Sequence, residues 1–196
     1  MLIYIITIIF LFGGFMNSET YYINKIKNDS NDFDAMNNLG KLYAEQEKFD
    51  LAEKYFLMSA EFKYDKAVTN LGALYVNQER YELAEKYFLE AAGLGYPEAM
   101  YNLGWLYSNQ EKYDLAEKYY LTAVSSKHIS AMNNLGFLYQ KQEKFDLAEK
   151  YYLMAVKFKY SVAMNNLGRL YYNQKKYDPA EKYFLMAVKL EDSNAM

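Results

Sequence analysis

One polar side chain recurs through this sequence at a fixed spacing of 32 residues, and it is an asparagine. An amide donates and accepts hydrogen bonds at once, so a row of amides suits a peptide backbone whatever side chains that peptide carries. The same row has a second interpretation, in which each amide bonds the neighbouring repeat and sets the stacking. The sequence leaves both open for Asn38, Asn70, Asn102, Asn134 and Asn166.

Four further positions change between copies of the repeat while their neighbours stay fixed. They lie at i, i+4, i+7 and i+8, which places them on one face of a helix. The variation between repeats is therefore concentrated on one helix face, as expected for a surface that contacts a ligand. The sets are Asn37, Thr69, Tyr101, Asn133, Asn165; Lys41, Ala73, Trp105, Phe137, Arg169; Ala44, Val76, Ser108, Gln140, Tyr172; and Glu45, Asn77, Asn109, Lys141, Asn173.

The chemistry of this variable face favours a particular kind of partner. Tyr101, Trp105 and Phe137 fall in the middle copies, and large central aromatic side chains are typical binding anchors. Cations outnumber the single acidic residue, Glu45. The face predicts a protein or peptide partner with an aromatic or apolar anchor and acidic residues. In the alternative interpretation the aromatic rings only cover a helix seam. The cations are Lys41, Lys141 and Arg169.

Other kinds of chemistry find little support in the sequence. There is no cysteine, and the single histidine, His128, lies in a loop between repeats. No phosphate loop, metal-ligand cluster or nucleophile constellation is present, so we expect no catalytic activity, cofactor or metal. The net charge is -3 without runs of like charge, which argues against nucleic-acid binding.

The elements that carry these residues form a repeat of 32 residues, opened by Ala35 and its equivalents. Fixed periods in this range indicate a solenoid, in which each unit buries its apolar face against its neighbours. Five units are predicted, followed by the start of a sixth at Ala195. Their ranges are 35–66, 67–98, 99–130, 131–162 and 163–194.

The sequence pattern predicts two helices in each unit. In the unit from Ala131, apolar residues recur at helical spacing in AMNNLGFLYQKQ and again in DLAEKYYLMAVKF. Asp146 and Glu149 have the spacing of a capping box at the start of the second helix. Glycine inside a helix costs about 1 kcal/mol relative to alanine, so five copies of Gly136 indicate close helix packing.

The motif M-x-x-L-G-x-x-Y, as Met132 to Tyr139, followed by A-x-x-x-Y, as Ala148 to Tyr152, resembles the tetratricopeptide repeat over residues 35–196. The joint AAGLGYPEAMYNLG also resembles its Sel1-like relatives. The resemblance implies an all-α fold, an α-solenoid of five stacked helix-turn-helix repeats in a right-handed superhelical array. It also implies a concave groove that holds a peptide and is lined by the variable face. The period of 32 is shorter than the 34 of that family.

The N-terminal residues are of a different kind. Residues 18–34 resemble the second helix of a unit and its linker, which makes them half a repeat. Before them, residues 2–16 are uncharged and mostly apolar, a length that suits an export signal or a short membrane anchor. A cap over the end of the array is the alternative for residues 1–17. A signal or anchor predicts export or membrane attachment, and a cap predicts a cytoplasmic protein.

The leading hypothesis is a non-catalytic interaction scaffold that binds a peptide or protein segment in its groove. The alternative is a module that forms homo-oligomers by stacking through its last repeat, which has no capping helix after it. That alternative predicts partial exposure of Phe184, Ala187, Val188 and Leu190.

Overall fold

The computed structural model describes residues 18–62 and 64–195, with side chains as far as Leu190, and the regular structure in these residues is entirely α-helical. The hydrophobic segment predicted at residues 1–17 lies outside the described residues. Residues 18–28 form α1. The other helices are α2 Phe33–Glu45, α3 Phe49–Ala60, α4 Asp65–Asn77, α5 Tyr81–Gly93, α6 Pro97–Asn109, α7 Tyr113–Ser125, α8 Ile129–Lys141, α9 Phe145–Val156, α10 Ser161–Asn173 and α11 Tyr177–Ala195.

The helices pack as consecutive pairs in two compact units, Met1–Tyr96 and Pro97–Met196. The first unit holds the pairs α2/α3 and α4/α5 after α1, and the second holds α6/α7, α8/α9 and α10/α11. Within each unit, every first helix comes within 8 Å of the first helix of the next pair, measured between Cα atoms, whereas the second helices from α3 onward stay farther apart. The fold is thus an α-solenoid, and the first helices of each unit form its more closely packed side.

The core of each repeat is built from small residues beneath large ones. In α8, Ala131, Leu135 and Leu138 are buried on the side that faces α9 and the neighbouring repeats. A Cβ added at Gly136 would lie 2.7 Å from Cδ1 of Tyr152, which is closer than carbon atoms approach without a shift. The ring of the second helix therefore occupies the space above the glycine, and this confirms the steric need predicted from the repeated glycine.

Within each unit, tyrosine hydroxyl groups link a first helix to the second helix that precedes it. Tyr75 donates to Glu53 at 2.7 Å. Tyr139 donates to Glu117 and Tyr171 to Glu149, both at 2.8 Å. We call these residues, with Tyr43 and its acceptor Glu19, the tyrosine ladder.

Each ladder tyrosine is also held by its own repeat. The ring of Tyr139 stacks on Tyr151 at a centroid distance of 5.5 Å, and Lys144 lies over its ring at 5.6 Å. Burial, reinforced by the bond to Glu117, raises the pKa of Tyr139. The ladder therefore requires a protonated phenol at each step.

The capping box predicted for the second helix is wrong. The helix α9 begins at Phe145, its N-cap is Lys144, and no side chain caps it. Asp146 is the second helical residue, where a negative charge is still favourable beside the positive end of the helix dipole. Glu149 does not reach back to the N-terminus because it accepts the hydroxyl of Tyr171 on the next repeat.

The turns between helices use left-handed residues that are not glycine. The link after each first helix contains one, with φ between 57 and 60°. Left-handed geometry costs a residue with a Cβ roughly 1–2 kcal/mol. These residues are Glu47, Glu79, Glu111, Glu143 and Lys175.

The last repeat shows a mixed pattern of exposure. Val188 is 54% exposed, whereas Ala187 is fully buried, contrary to the exposure predicted for it. Ala187 is covered because it lies at the helix-packing position that Ala155 occupies one repeat earlier. The self-assembly alternative stays a prediction.

Among the described residues, no helix has both the length and the apolar character needed to cross a membrane.

Candidate functional site

The most distinctive surface of the second unit is formed by its first helices, α6, α8 and α10, which contact one another in order. Trp105 on α6 and Phe137 on α8 hold equivalent positions of the repeat, and they are 37% and 46% exposed. Arg169 holds the same position on α10 and is exposed. Equivalent positions on neighbouring helices form a row, so the three side chains run across the face. We call this surface the aromatic face.

Two more predicted residues extend the aromatic face. Lys141 is exposed one turn after Phe137, with its Nζ 5.4 Å from the centroid of that ring. Tyr172 is 58% exposed and lies edge-on to Tyr177 with ring centroids 5.6 Å apart. The structure therefore brings large apolar side chains and two cations together on one face.

Tyr101 was predicted as an anchor, and the structure places it in a different environment. Its ring stacks on His128 at a centroid distance of 4.7 Å, and its hydroxyl oxygen accepts from Nδ2 of Asn134 at 3.4 Å. Burial raises its pKa. One face of this ring is therefore covered by the protein itself, and Tyr101 lies at the border of the aromatic face.

His128 has a structural role that its position in a loop did not suggest. Its Nδ1 accepts the backbone N–H of Ala131 and caps α8, so the hydrogen-bond pattern assigns the ring proton to Nε2. Nε2 lies 2.9 Å from Oε2 of Glu98 on α6, and this bond lowers the pKa of that carboxyl group. His128 thus joins two successive repeats beside Tyr101. Spacing alone gave no signal of this contact.

The asparagine row takes part in stacking. Nδ2 of Asn70 donates to Oδ1 of Asn37 at 2.8 Å, and Nδ2 of Asn166 donates to Oδ1 of Asn133 at 2.9 Å. Likewise, Nδ2 of Asn134 donates to the hydroxyl oxygen of Tyr101 on the preceding first helix. These contacts support the stacking interpretation, and they leave the Oδ1 atoms of Asn70 and Asn166 without a partner among the described residues. Asn102 is half-buried on α6.

One of the four variable positions is not on the surface. Asn37, Thr69 and Asn133 are buried, with 4%, 3% and 6% exposure, so the expectation that this position lines the ligand face is wrong for them. The reason is that neighbouring first helices meet there, and two of the three side chains accept the stacking bonds of the asparagine row.

The equivalent surface of the first unit contains a cleft rather than protruding rings. Its volume is about 180 Å³. Alanine stands at two of the variable positions, where the second unit carries larger side chains. The cleft is lined by Lys41, Ala44, Glu45, Phe56, Asn70, Ala73, Leu74 and Asn77.

Comparison with family models gives three matches, each described as tetratricopeptide repeat. They cover residues 34–62, residues 65–94 with 97–127, and residues 127–190. The comparison with curated proteins gave no match.

Solved structures with the same fold are similar over most of their length. BtubC (BKLC) from P. vanneervenii is 17% identical with a TM-score of 0.76, over 93% of this chain and 90% of that one. The Sel1 repeat protein from Oxalobacter formigenes is 20% identical with a TM-score of 0.73, over 93% and 82%. YrrB, described as a TPR protein with an unusual peptide-binding site, is 20% identical with a TM-score of 0.59, over 87% and 92%.

The matched segments extend through all five helix pairs, and the glycine and tyrosine contacts recur in the repeats with the same geometry. This chain belongs to the tetratricopeptide repeat family.

Proposed function

We propose that this protein is a non-catalytic scaffold that binds a segment of a partner protein on the aromatic face of its second unit. The observation that carries the proposal is the exposure of Trp105, Phe137 and Tyr172 on adjoining first helices. Exposed side chains of this size are enriched at interaction sites, where burying them in a partner stabilises the complex. The similarity to YrrB supports a peptide as the ligand.

The charges of the face define the partner further. Lys141 and Arg169 are exposed on the aromatic face. A partner segment that places an aromatic or aliphatic side chain between Trp105 and Phe137, with acidic residues beside it, matches both features. Arg169 is suited to a carboxylate because its planar guanidinium group donates two parallel hydrogen bonds.

The test is a peptide array probed with the full chain and with the variants Trp105→Ala and Phe137→Ala. Each variant should weaken binding of the selected peptides at least tenfold, the loss of about 1.4–2 kcal/mol expected for a buried anchor. Peptides with acidic and aromatic residues should be enriched. Circular dichroism checks that both variants remain folded.

Phe145→Ala is the matched control, because Phe145 is 43% exposed but begins a second helix, away from the aromatic face. It should bind as the parent protein does. The proposal fails if no peptide is selected, or if Trp105→Ala and Phe137→Ala bind as tightly as Phe145→Ala.

A further inference from the structure

The residue immediately before each first helix differs between repeats, and in one repeat it is the only histidine of the chain. α4 and α10 follow a tyrosine whose side chain makes no capping bond, and Ala67 and Ala163 donate their backbone N–H groups to the carbonyl oxygen three residues earlier. Before α8 the equivalent N–H, that of Ala131, donates to Nδ1 of His128 at 3.2 Å. This repeat therefore relies on an imidazole ring where α4 and α10 rely on the backbone. The equivalents of His128 are Asp32, Tyr64, Tyr96 and Tyr160.

His128 also joins α8 to the preceding first helix. Its Nε2 lies 2.9 Å from Oε2 of Glu98 on α6. In the first unit the hydroxyl group of Tyr64 donates to Oδ1 of Asp34 at 2.9 Å, and both bonds join residues 30 positions apart. The contact between first helices thus recurs with either residue type, whereas these tyrosines provide no cap. The histidine combines a link between helices and a helix cap in one ring.

Only the neutral ring can make both contacts. With its proton on Nε2, the ring donates to Glu98 and accepts the N–H of Ala131 on Nδ1. A second proton binds at Nδ1, where it occupies the lone pair and leaves two donors facing each other. The positive charge would also lie beside the positive end of the α8 dipole, which is unfavourable. The bond to Glu98 persists and becomes charge-assisted, so protonation breaks the cap and keeps the link.

The titratable groups around the imidazole ring come from each neighbouring element. Tyrosine and lysine side chains ordinarily titrate near about pH 10, and carboxyl groups near about pH 4. The bond to the ring lowers the pKa of the carboxyl group on α6 further, and burial raises the pKa of both tyrosines of α6 and α7. Histidine is therefore the group that changes its charge between about pH 5 and pH 8. The neighbours are Glu98 and Tyr101 on α6, Tyr120 on α7, Lys127 just before the ring, and Tyr160 before α10.

We propose that His128 is a pH-sensitive helix cap, which closes the first turn of α8 at neutral pH and releases it in mild acid while its bond to Glu98 holds α8 to α6. The ring is held in place for this role, since its side chain is only 15% exposed and stacks on Tyr101 at a centroid distance of 4.7 Å. Tyr101 lies at the border of the aromatic face, so the released turn adjoins that surface. The proposal concerns the free chain and does not rest on the proposed function.

The experiment follows the full chain by nuclear magnetic resonance between about pH 7.5 and pH 5.5, the range in which histidine changes its charge. The ¹⁵N shifts of the imidazole should identify the tautomer with its proton on Nε2 at pH 7.5. Hydrogen exchange of the Ala131 amide is measured at both pH values and corrected for the intrinsic rate. Its protection should fall about fivefold at pH 5.5, the size expected for the loss of an N-cap.

The chain contains its own control, the Ala35 amide. It donates to Oδ1 of Asp32 at 2.7 Å, in the position equivalent to the bond between Ala131 and His128. That bond holds the pKa of the Asp32 carboxyl group below its ordinary value of 3.8, so this cap stays charged throughout the titration. The protection of the Ala35 amide should therefore be the same at both pH values.

Three variants separate the cap from the link. His128→Asn supplies a side-chain oxygen that caps α8 at every pH, so the protection of the Ala131 amide should no longer depend on pH. His128→Tyr places at this position the residue that precedes α4 and α10, and it should likewise show no change in this range. Glu98→Gln keeps a hydrogen-bond acceptor without the charge, and it should retain the fall in protection. Circular dichroism checks that each variant is folded.

Each contrary result overturns the pH-sensitive cap. These results are a proton on Nδ1 at pH 7.5, equal protection of the Ala131 amide at both pH values, and an equal fall in His128→Asn. Loss of the fall in Glu98→Gln would assign the response to the ion pair instead of the cap. Trp105→Ala and Phe137→Ala should keep the parent response whether or not they bind peptides, so this inference and the proposed function fail independently.

Discussion

At the scale of single residues, the repeated glycine leaves room for an aromatic ring of the second helix to pack against the first. A Cβ at Gly136 would meet Cδ1, Cε1 and Cγ of Tyr152 at 2.7, 2.9 and 3.1 Å. We expect Gly136→Ala to lower the free energy of unfolding by about 1–3 kcal/mol, because overpacking outweighs the roughly 1 kcal/mol gained in helix propensity. Urea denaturation followed by circular dichroism measures the change.

The control for this prediction is Gly93→Ala, which makes the same change at the end of α5. Nothing lies within 4 Å of a Cβ built at Gly93. There the propensity gain should act alone and raise the free energy of unfolding by up to about 1 kcal/mol. Destabilisation by both substitutions would show that the close contact with Tyr152 is not the cause.

The individual residues of the candidate site were only partly predictable from the sequence. Variation between repeats identified Trp105 and Phe137, which the structure shows to be exposed at equivalent positions. It also selected Asn37, which is buried, because spacing along one helix does not show where a neighbouring helix will pack. The bond from His128 to Glu98 joins residues 30 positions apart, and only the tertiary structure reveals such a contact.

At the scale of helices and turns, the left-handed residues offer a test of local strain. Lys159 follows α9 with φ 57°, whereas Lys157, two residues earlier, has right-handed geometry with φ -58°. Both side chains are exposed. Lys159→Gly should raise the free energy of unfolding by about 0.5–1 kcal/mol, because glycine adopts positive φ without a steric penalty.

Lys157→Gly is the paired control. At right-handed φ glycine brings only its greater loss of conformational entropy on folding, so this change should lower the free energy of unfolding by about 0.5–1 kcal/mol. Thermal denaturation of both variants gives the comparison. Equal shifts in the same direction would contradict the assignment of strain to the backbone of Lys159.

The helices could be predicted from the sequence more reliably than the turn and capping residues at their ends. Apolar spacing repeated in five copies identifies both helices of each unit, since every copy must bury the same face. The turns escaped prediction because glutamate and lysine, rather than glycine, take the left-handed positions. The capping box failed for a related reason, since Glu149 serves the next repeat and the motif is not used locally.

At the scale of the whole molecule, the helix pairs of each unit pack against the neighbouring pair of the same unit. The tyrosine ladder is the clearest polar example, because each hydroxyl group joins a first helix to the second helix of the preceding repeat. Glu19 on α1 accepts from Tyr43 in the same manner, so the half repeat is attached by the same contact. Stability in such arrays is approximately a sum of repeat and interface contributions.

Because of the tyrosine ladder, the stability of the molecule depends on pH in the alkaline range. Burial and the bond to Glu19 raise the pKa of Tyr43 to about 12, and burial raises those of Tyr75, Tyr139 and Tyr171 as well. An unfolded tyrosine has a pKa of about 10. Above that pH the unfolded chain binds fewer protons than the folded chain, so the free energy of unfolding falls as pH rises.

We therefore expect the melting temperature to decrease between about pH 10, the ordinary tyrosine pKa, and pH 12. Tyr139→Phe removes one ladder bond, so it should lower the free energy of unfolding by about 1 kcal/mol at pH 8. Between pH 8 and pH 11, its free energy of unfolding should decrease less than that of the parent protein. Tyr21→Phe, an exposed tyrosine outside the ladder, should follow the parent protein at every pH. Because lysine side chains also titrate in this range, the difference between the variants isolates the tyrosine contribution. Parallel curves for Tyr139→Phe and the parent protein would show that the ladder does not set the alkaline limit.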